Sequence, residues 1–239
     1  QAASVLDVLR WETERLGIRV LLSCQVSVIK PQRDGGFLIR SSQGTLHTDT
    51  LILAAGSKAA PSTGSDGSGY ELAKALGHKV IKPLPALVQL RCQGTLYKQL
   101  AGIRTEARIR LLADGICMAE DKGELQLTDY GLSGIPVFQI SGRVSRLLYQ
   151  GKEPYLKLDV MPDHTKEQVM EELLRRVKTY GVGRSLGDVL DGMLPDKLAK
   201  ALLQALHKSP GDGTEILQED RWRNVLADQI KGKKLHIRK

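Results

Sequence analysis

Aromatic side chains are scarce, with two Trp, six Tyr and two Phe scattered through 239 residues. A single-strand nucleic-acid binder shows rows of stacking rings, and none is visible here. Cysteine is scarcer. Cys24, Cys92 and Cys117 stand far apart, are odd in number and form no CxxC pair. They suggest neither a disulfide framework nor a zinc cluster, and they fit a reducing cytoplasm. No apolar run approaches the roughly 18 residues that span a bilayer. The opening QAASVLDVLRWETERLG is an amphipathic pattern rather than a signal peptide, so a soluble chain away from the membrane is expected. The five histidines, His47, His78, His164, His207 and His236, show neither HxH nor HExxH spacing, and no metal is expected.

What is present is a 41% hydrophobic composition, enough to build cores for one large domain or two small ones. The formal charge of +8 invites a nucleic-acid or anionic-surface reading, which the scattered aromatics do not favour. The chain opens on Gln1 rather than Met and enters a helical pattern almost at once. It is therefore expected to be an excerpt from something longer.

Val5, Leu6, Val8, Leu9 and Leu16 recur near helical spacing before Gly17, and Ile18 to Leu22 then reads as a short buried strand. Val26 to Lys30 and Phe37 to Ser41 flank Asp34-Gly35-Gly36, a hairpin signal. A further run, GTLHT, leads into TLILAAG, so residues 20–50 predict an antiparallel meander feeding a buried strand at 50–55. A glycine-rich loop, SKAAPSTGSDGSG, and a short helix, YELAKALGH, follow. From Pro83 the short alternating runs ARIRLLADGICMAE, GELQLT and PYLKLDVMP predict a compact β domain, with a boundary near residue 82. From Thr165 the chain reads as helical. Thr165-x-x-Gln168 is a capping-box pattern ahead of the stripe Val169, Met170, Leu173, Leu174 and Val177. Pro195 suits the first turn of a helix ended by Ser209-Pro210-Gly211, and 214–230 reads as a last amphipathic segment.

Three stretches could carry chemistry. Ala54-Ala55-Gly56 removes side-chain obstacles at the end of the expected strand, so backbone can approach a ligand. Ser65, Asp66 and Ser68 could offer N–H groups and hydroxyls to a phosphate or pyrophosphate at the N-terminus of the next helix. The order there is GxxGxG, not the Rossmann GxGxxG, and no Gly-Lys-Ser/Thr makes it a P-loop. A flexible connection is the alternative. Second, Thr128-Asp129-Tyr130-Gly131-Leu132-Ser133-Gly134-Ile135-Pro136 reads either as a ligand-facing turn or as a helix entry capped by Ser133; its serine lacks the GxSxG spacing of a hydrolase. Third, the basic terminus, Lys231, Lys233, Lys234, Arg238 and Lys239, reads either as a phosphate contact or as a solvated end or linker, and the latter is expected.

The runs LILAAGSKAAPSTGSDGSGYELAKALGH, PLPALVQL, LTDYGLSGIPVFQIS and LDGMLPDKLAKALL together resemble a bacterial family of FAD-dependent oxidoreductases, HI0933-like, whose members include aminoacetone-oxidase-like and bile-acid-reductase-like flavoproteins. The blocks occur in the family's order along nearly the whole chain. The resemblance implies a mixed α+β and α/β fold. Residues 1–82 would be the middle portion of a discontinuous, glutathione-reductase-like FAD-binding domain, and 83–239 an inserted substrate or lid domain, with a small β barrel at 83–162 and a helical part at 163–232. Its GxGxxG unit would precede Gln1 and its closing C-terminal segment would follow Lys239. These missing parts of the FAD domain would be the chain's partners, and the fragment alone would bind FAD weakly or not at all and be inactive. The resemblance places Val26, Ala55, Gly56, Ser57, Gly64, Ser65, Asp66, Gly69 and Tyr70 at the cofactor. Tyr130, Gly131, Leu132, Ser133 and Gly134 would face the substrate and cofactor cleft. Ser57 stands where many relatives have glycine, and Asp129 where many have histidine, so no catalytic acid or base is assigned. The implied activity is redox chemistry on a small organic substrate, with NAD(P)H as a candidate reductant. A basic nucleic-acid-binding module and a non-catalytic interaction or lid fragment are the alternatives.

Overall fold

The computed structural model describes residues 2–94 and 96–238; Gln1, Thr95 and Lys239 lie outside the described residues. The chain divides into two compact units, residues 1–83 and 84–239.

The first unit begins with α1 (Ala2–Arg15), none of whose residues is buried. Its apolar stripe faces outward, with Trp11 65% exposed. Gly17, at φ +64°, takes the left-handed conformation that ends helices at little steric cost. Ile18–Leu22 is then irregular and exposed, not the buried strand that its composition predicts. The meander is present as β1 (Val26–Pro31), β2 (Phe37–Ser41) and β3 (Gly44–Thr48), antiparallel in that order. Ile29 sits opposite Ile39, and this cross-strand pair is the buried centre of the sheet. The expected strand at 50–55 is absent as well. Leu51–Gly56 is extended chain without a ladder, and Ile52 is 87% exposed. A strand exists only where its N–H and C=O groups find a neighbour, and among the described residues none pairs with this run. After a short 3-10 helix (Pro61–Thr63), α2 (Ser68–Ala75) completes the unit.

The second unit is built on a six-stranded antiparallel sheet. Its strands are β4 (Leu90–Arg91), β5 (Arg104–Ala113), β6 (Ile116–Thr128), β7 (Gly131–Gly134), β8 (Tyr155–Asp159) and β9 (Lys233–His236). The spatial order is β4-β7-β6-β5-β8-β9. The two ends meet. Cys92 bridges Ile237, the Gln93 N–H donates to the His236 carbonyl at 2.8 Å, and the Arg238 N–H donates to the Arg91 carbonyl at 2.8 Å. The sheet thus curls into a small barrel, which removes its open edges. Alternate residues Ile109, Leu111, Leu125, Leu127 and Leu156 are almost wholly buried. Against them packs α4 (Ile135–Tyr149), through Val137, Ile140, Val144 and Leu147. This 15-residue helix lies inside the stretch expected to be β structure, as does the short α3 (Leu96–Leu100).

The helical part comprises α5 (Lys166–Tyr180), α6 (Leu186–Leu190), α7 (Asp196–Gln204), a 3-10 turn (Thr214–Gln218) and α8 (Asp220–Gly232). The Thr165 side chain accepts from the Gln168 N–H, and the Gln168 side chain accepts from the Thr165 N–H, closing the capping box. Ser185 and Asp188 repeat the device at α6, where no sequence expectation was made. Pro195 is the N-cap of α7 rather than its first turn, and α7 stops at Gln204, short of Ser209-Pro210-Gly211. The expected single segment at 214–230 is two elements, separated at Glu219 by its extended backbone. Val169, Leu173, Leu186, Leu190, Leu202 and Leu226 join the barrel's apolar side chains in one core.

The basic terminus is not a solvated linker. Lys233–His236 is a ladder strand, and Leu235 and Ile237 are buried between outward-facing polar neighbours. Lys231 reaches the nearly buried Asp159 carboxylate at 2.7 Å and also donates to the Met161 carbonyl at 2.7 Å. This ties the end of α8 to the end of β8.

Candidate functional site

In the first unit, the cofactor-side residues predicted from the sequence fall on a hydrogen-bonded loop. Gly56 has φ +74°, and a Cβ there would lie 2.3 Å from Ser65 Oγ. The Ser65 hydroxyl lies 2.5 Å from the Ser57 carbonyl and 3.3 Å from that of Ala55, closing the loop on itself. The Ala59 N–H donates to Ser57 Oγ at 3.2 Å. Gly64, at φ +89°, ends the 3-10 helix by donating to the Pro61 carbonyl. Gly69 is buried, and a Cβ there would meet the Ala55 methyl at 2.9 Å. Ala55, Gly56, Ser57, Gly64, Ser65 and Gly69 are therefore brought together. The chain is pinned where only small residues fit, and it is not a loose connection. Tyr70 is half-buried on α2, and Val26 is half-buried at a bulge in β1, where the register shifts between Val26 and Val28.

At the N-terminus of α2 one N–H is taken up from within, because Asp66 Oδ1 accepts from the Ser68 N–H at 2.8 Å. Hydrogen bonds from Ser68 hold the Asp66 carboxyl below the usual range, so it is ionised at neutral pH. A fixed negative charge there opposes a phosphate or pyrophosphate. The exposed Ala54-Ala55-Gly56 run is different. It presents backbone without bulky side chains.

In the second unit, the 131–134 segment is strand β7 and not a turn. Gly131, Leu132 and Ser133 are buried. Its glycines are required by the barrel itself: a Cβ on Gly131 would sit 2.2 Å from the Leu90 carbonyl, and one on Gly134 would sit 2.5 Å from that of Glu124. Gly134, not Ser133, is the N-cap of α4. Before it comes the two-residue hairpin Asp129-Tyr130, with Asp129 exposed and Tyr130 half-buried. The Tyr130 hydroxyl bonds Gln89 Oε1, and the Arg91 guanidinium lies 6.0 Å from the Tyr130 ring centre.

Where the barrel meets the helices, an apolar cavity of about 20 Å³ is lined by Tyr97, Leu127, Leu158, Leu202 and Lys233. It holds about one water and no substrate. Burial pushes the neighbouring Cys92 thiol up to about 11, so it stays protonated. On the helical part, a more open depression of about 400 Å³ is lined by Asp188, Asp191, Asp196 and Lys200. Neither space touches a site residue predicted from the sequence.

An antiparallel barrel with a helix packed on its apolar side chains and capped helices continuing it, together with a separate unit that carries a glycine-pinned loop, defines a two-unit α+β class. Residues 84–239 match the family model of the HI0933-like protein barrel and H2TH domain, and the chain belongs to that family. It is 37% identical over 226 residues to the 3-dehydro-bile acid delta(4,6)-reductase of Clostridium scindens, covering 95% of this chain and 55% of that protein. It is 26% identical over 208 residues to the ribosomal RNA dihydrouridine synthase of Haemophilus influenzae, covering 85% of this chain and 48% of that one. The chain spans about half the length of these curated relatives. Both are enzymes of oxidoreductase type, and no helix among the described residues is long and apolar enough to cross a membrane.

Proposed function

We propose that this chain is part of an FAD-dependent reductase acting on a small organic substrate. The observation that carries the reading is the 37% identity to a reductase along 95% of the chain. The pinned loop at 55–69 supports it, because it holds the exposed 54–56 run, whose small residues leave the backbone open to a flat cofactor, in one shape. Residues 1–82 are read as the middle portion of the FAD-binding domain and 83–239 as the inserted substrate or lid domain. FAD, when bound, supplies the two-electron chemistry. The residues of this chain orient and enclose. Ala55 and Gly56 present backbone to the cofactor, while Ser57 and Ser65 hold that loop in shape, and the Asp129-Tyr130 hairpin is the edge that the barrel offers to a substrate cleft. Asp66 keeps pyrophosphate away from α2, so the pyrophosphate is gripped by segments outside these residues. NAD(P)H is the proposed reductant and the cytoplasm the proposed compartment.

The test is anaerobic spectroscopy on the protein expressed from its complete gene. Bleaching of a flavin band by NADPH or NADH, and its return on adding an unsaturated ring ketone, is the expected result. A purified protein whose flavin is reduced by neither nucleotide overturns the assigned reductant, and one without flavin overturns the reading.

A further inference from the structure

We propose that the outer face of β5, β8 and β9 is a docking surface for single-stranded RNA. The ladder registers place Arg110 opposite Lys157, and Lys157 opposite Lys234, so three cations stand side by side on neighbouring strands. Adjacent strands are about 4.8 Å apart, which puts the three charges within about 10 Å. In the next row Tyr155 faces His236, with ring centres 6.5 Å apart. The Lys234 ammonium lies 4.2 Å from the Tyr155 ring centre. Beyond His236 the chain continues to Arg238, whose N–H bonds the Arg91 carbonyl where the barrel closes. Arg91 itself stands over Tyr130. Lys157, Lys234, His236, Arg238 and Arg91 are all exposed.

Directly opposed like charges destabilise a sheet. Among the described residues, the only ion pair in the three-cation row joins Arg110 to Glu120 at 2.9 Å. The barrel therefore keeps an arrangement that an external polyanion would relieve. Phosphates alone would not need the rings. Cations that follow a backbone, interleaved with flat faces on which bases stack, are the combination that binds single strands. The Tyr155 hydroxyl and the His236 ring can exchange hydrogen bonds with a 2′-hydroxyl, which favours RNA over DNA. The aliphatic member of these rows, Leu112 opposite Tyr155, is buried, so the rows offer no exposed aliphatic side chain to insert into a bilayer, which disfavours a lipid surface. The barrel's register thus brings Tyr155 beside His236 and Lys234, which lie far from it in the sequence. This inference does not rest on the flavin reading, and its test requires no flavin.

The experiment is fluorescence anisotropy of the full chain with a labelled oligouridylate, at low salt and then across rising salt. Binding that weakens with salt is expected. Lys157→Gln with Lys234→Gln should weaken it about tenfold and lower the salt slope by about 1.4, the value for two lost phosphate contacts on a single strand. Tyr155→Ala should weaken it about fivefold without changing that slope. An equal loss of charge at Lys98 and Lys178 should leave it unchanged. The Lys157/Lys234 variant removes opposed charges and is expected to melt no lower than wild type; if it fails to fold, Arg238→Gln with Arg91→Gln carries the same test. The proposal is overturned if no RNA binds at low salt or if the control pair weakens binding equally. It is also overturned if oligodeoxythymidylate binds as tightly, or if phosphatidylserine vesicles bind while the RNA does not.

Discussion

Gly56 is where one added methyl group should be felt most. Its φ of +74° costs an L-residue about 1–2 kcal/mol, and the new Cβ would collide with Ser65 Oγ at 2.3 Å. Gly56→Ala is expected to weaken flavin retention in the protein from the complete gene, and adding Ser65→Ala should recover part of the loss, since it removes the collision and leaves the backbone cost. A double-mutant cycle on flavin affinity reads that coupling, and strict additivity would contradict it. At Gly131 no such rescue exists, because the obstacle is a backbone carbonyl. Cys92 gives a chemical test of the barrel seam: with its thiol pushed up to about 11 by burial, it should resist a thiol reagent at neutral pH until the protein unfolds, whereas the exposed Cys117 should react at once. Labelling of native Cys92 as fast as Cys117 would show the seam to be open.

At the scale of elements, α5 carries the clearest pH signature. Glu172 bonds both Arg175 and Arg176, at 2.6 and 2.8 Å, and these hydrogen bonds lower its carboxyl from 4.5 to about 2. A lowered folded-state value stabilises fully above the unfolded value and is lost as pH falls from about 4.5 towards 2. Glu172 is partly open to water, so its contribution is about 1 kcal/mol. Denaturation of Glu172→Gln should show a deficit near neutral pH that disappears below pH 2, and a deficit unchanged across that range would refute the assignment. Removing the α5 cap by Thr165→Ala should cost about 1 kcal/mol in the same measurement. This cap, the stripe Val169–Leu173–Val177 and the Gly35-Gly36 hairpin were legible in the sequence because their determinants lie within a few residues of one another. β9 was not. KKLHIRK reads as a charged tail, and only pairing with Tyr155–Leu158, far back in the chain, makes it a strand with Leu235 inward. The same dependence on distant partners misled in the other direction at LILAAG, whose composition reads as a buried strand and which pairs with no strand among the described residues. The loop at 55–69 was legible through its small residues, but the capture of the α2 terminus by Asp66 was not, because Asp66 reads equally as a donor-loop residue.

Across the whole molecule the two units differ in how much they bury. Ile29 and Ile39 are the buried large apolar side chains of residues 1–83, whereas the barrel and helices of 84–239 share one continuous core. Amides of α1 should therefore exchange with solvent much faster than those of β5, β6 and β8, and uniform protection would contradict this picture. Within the second unit, Lys231→Met should cost about 3–5 kcal/mol by leaving the buried Asp159 carboxyl without its ammonium partner, and changing Asp159 to Leu as well should restore most of it. The central claim is that the pinned loop of a flavin enzyme lies in residues 55–69. The measurement that meets it most directly is the visible absorption spectrum of the protein purified from its complete gene, beside the 239-residue chain and the Gly56→Ala variant of the complete protein. Bound flavin in the complete protein, with little in the chain alone and less in the variant, is the expected result. A complete protein that is folded, colourless and unable to take up added FAD would contradict it.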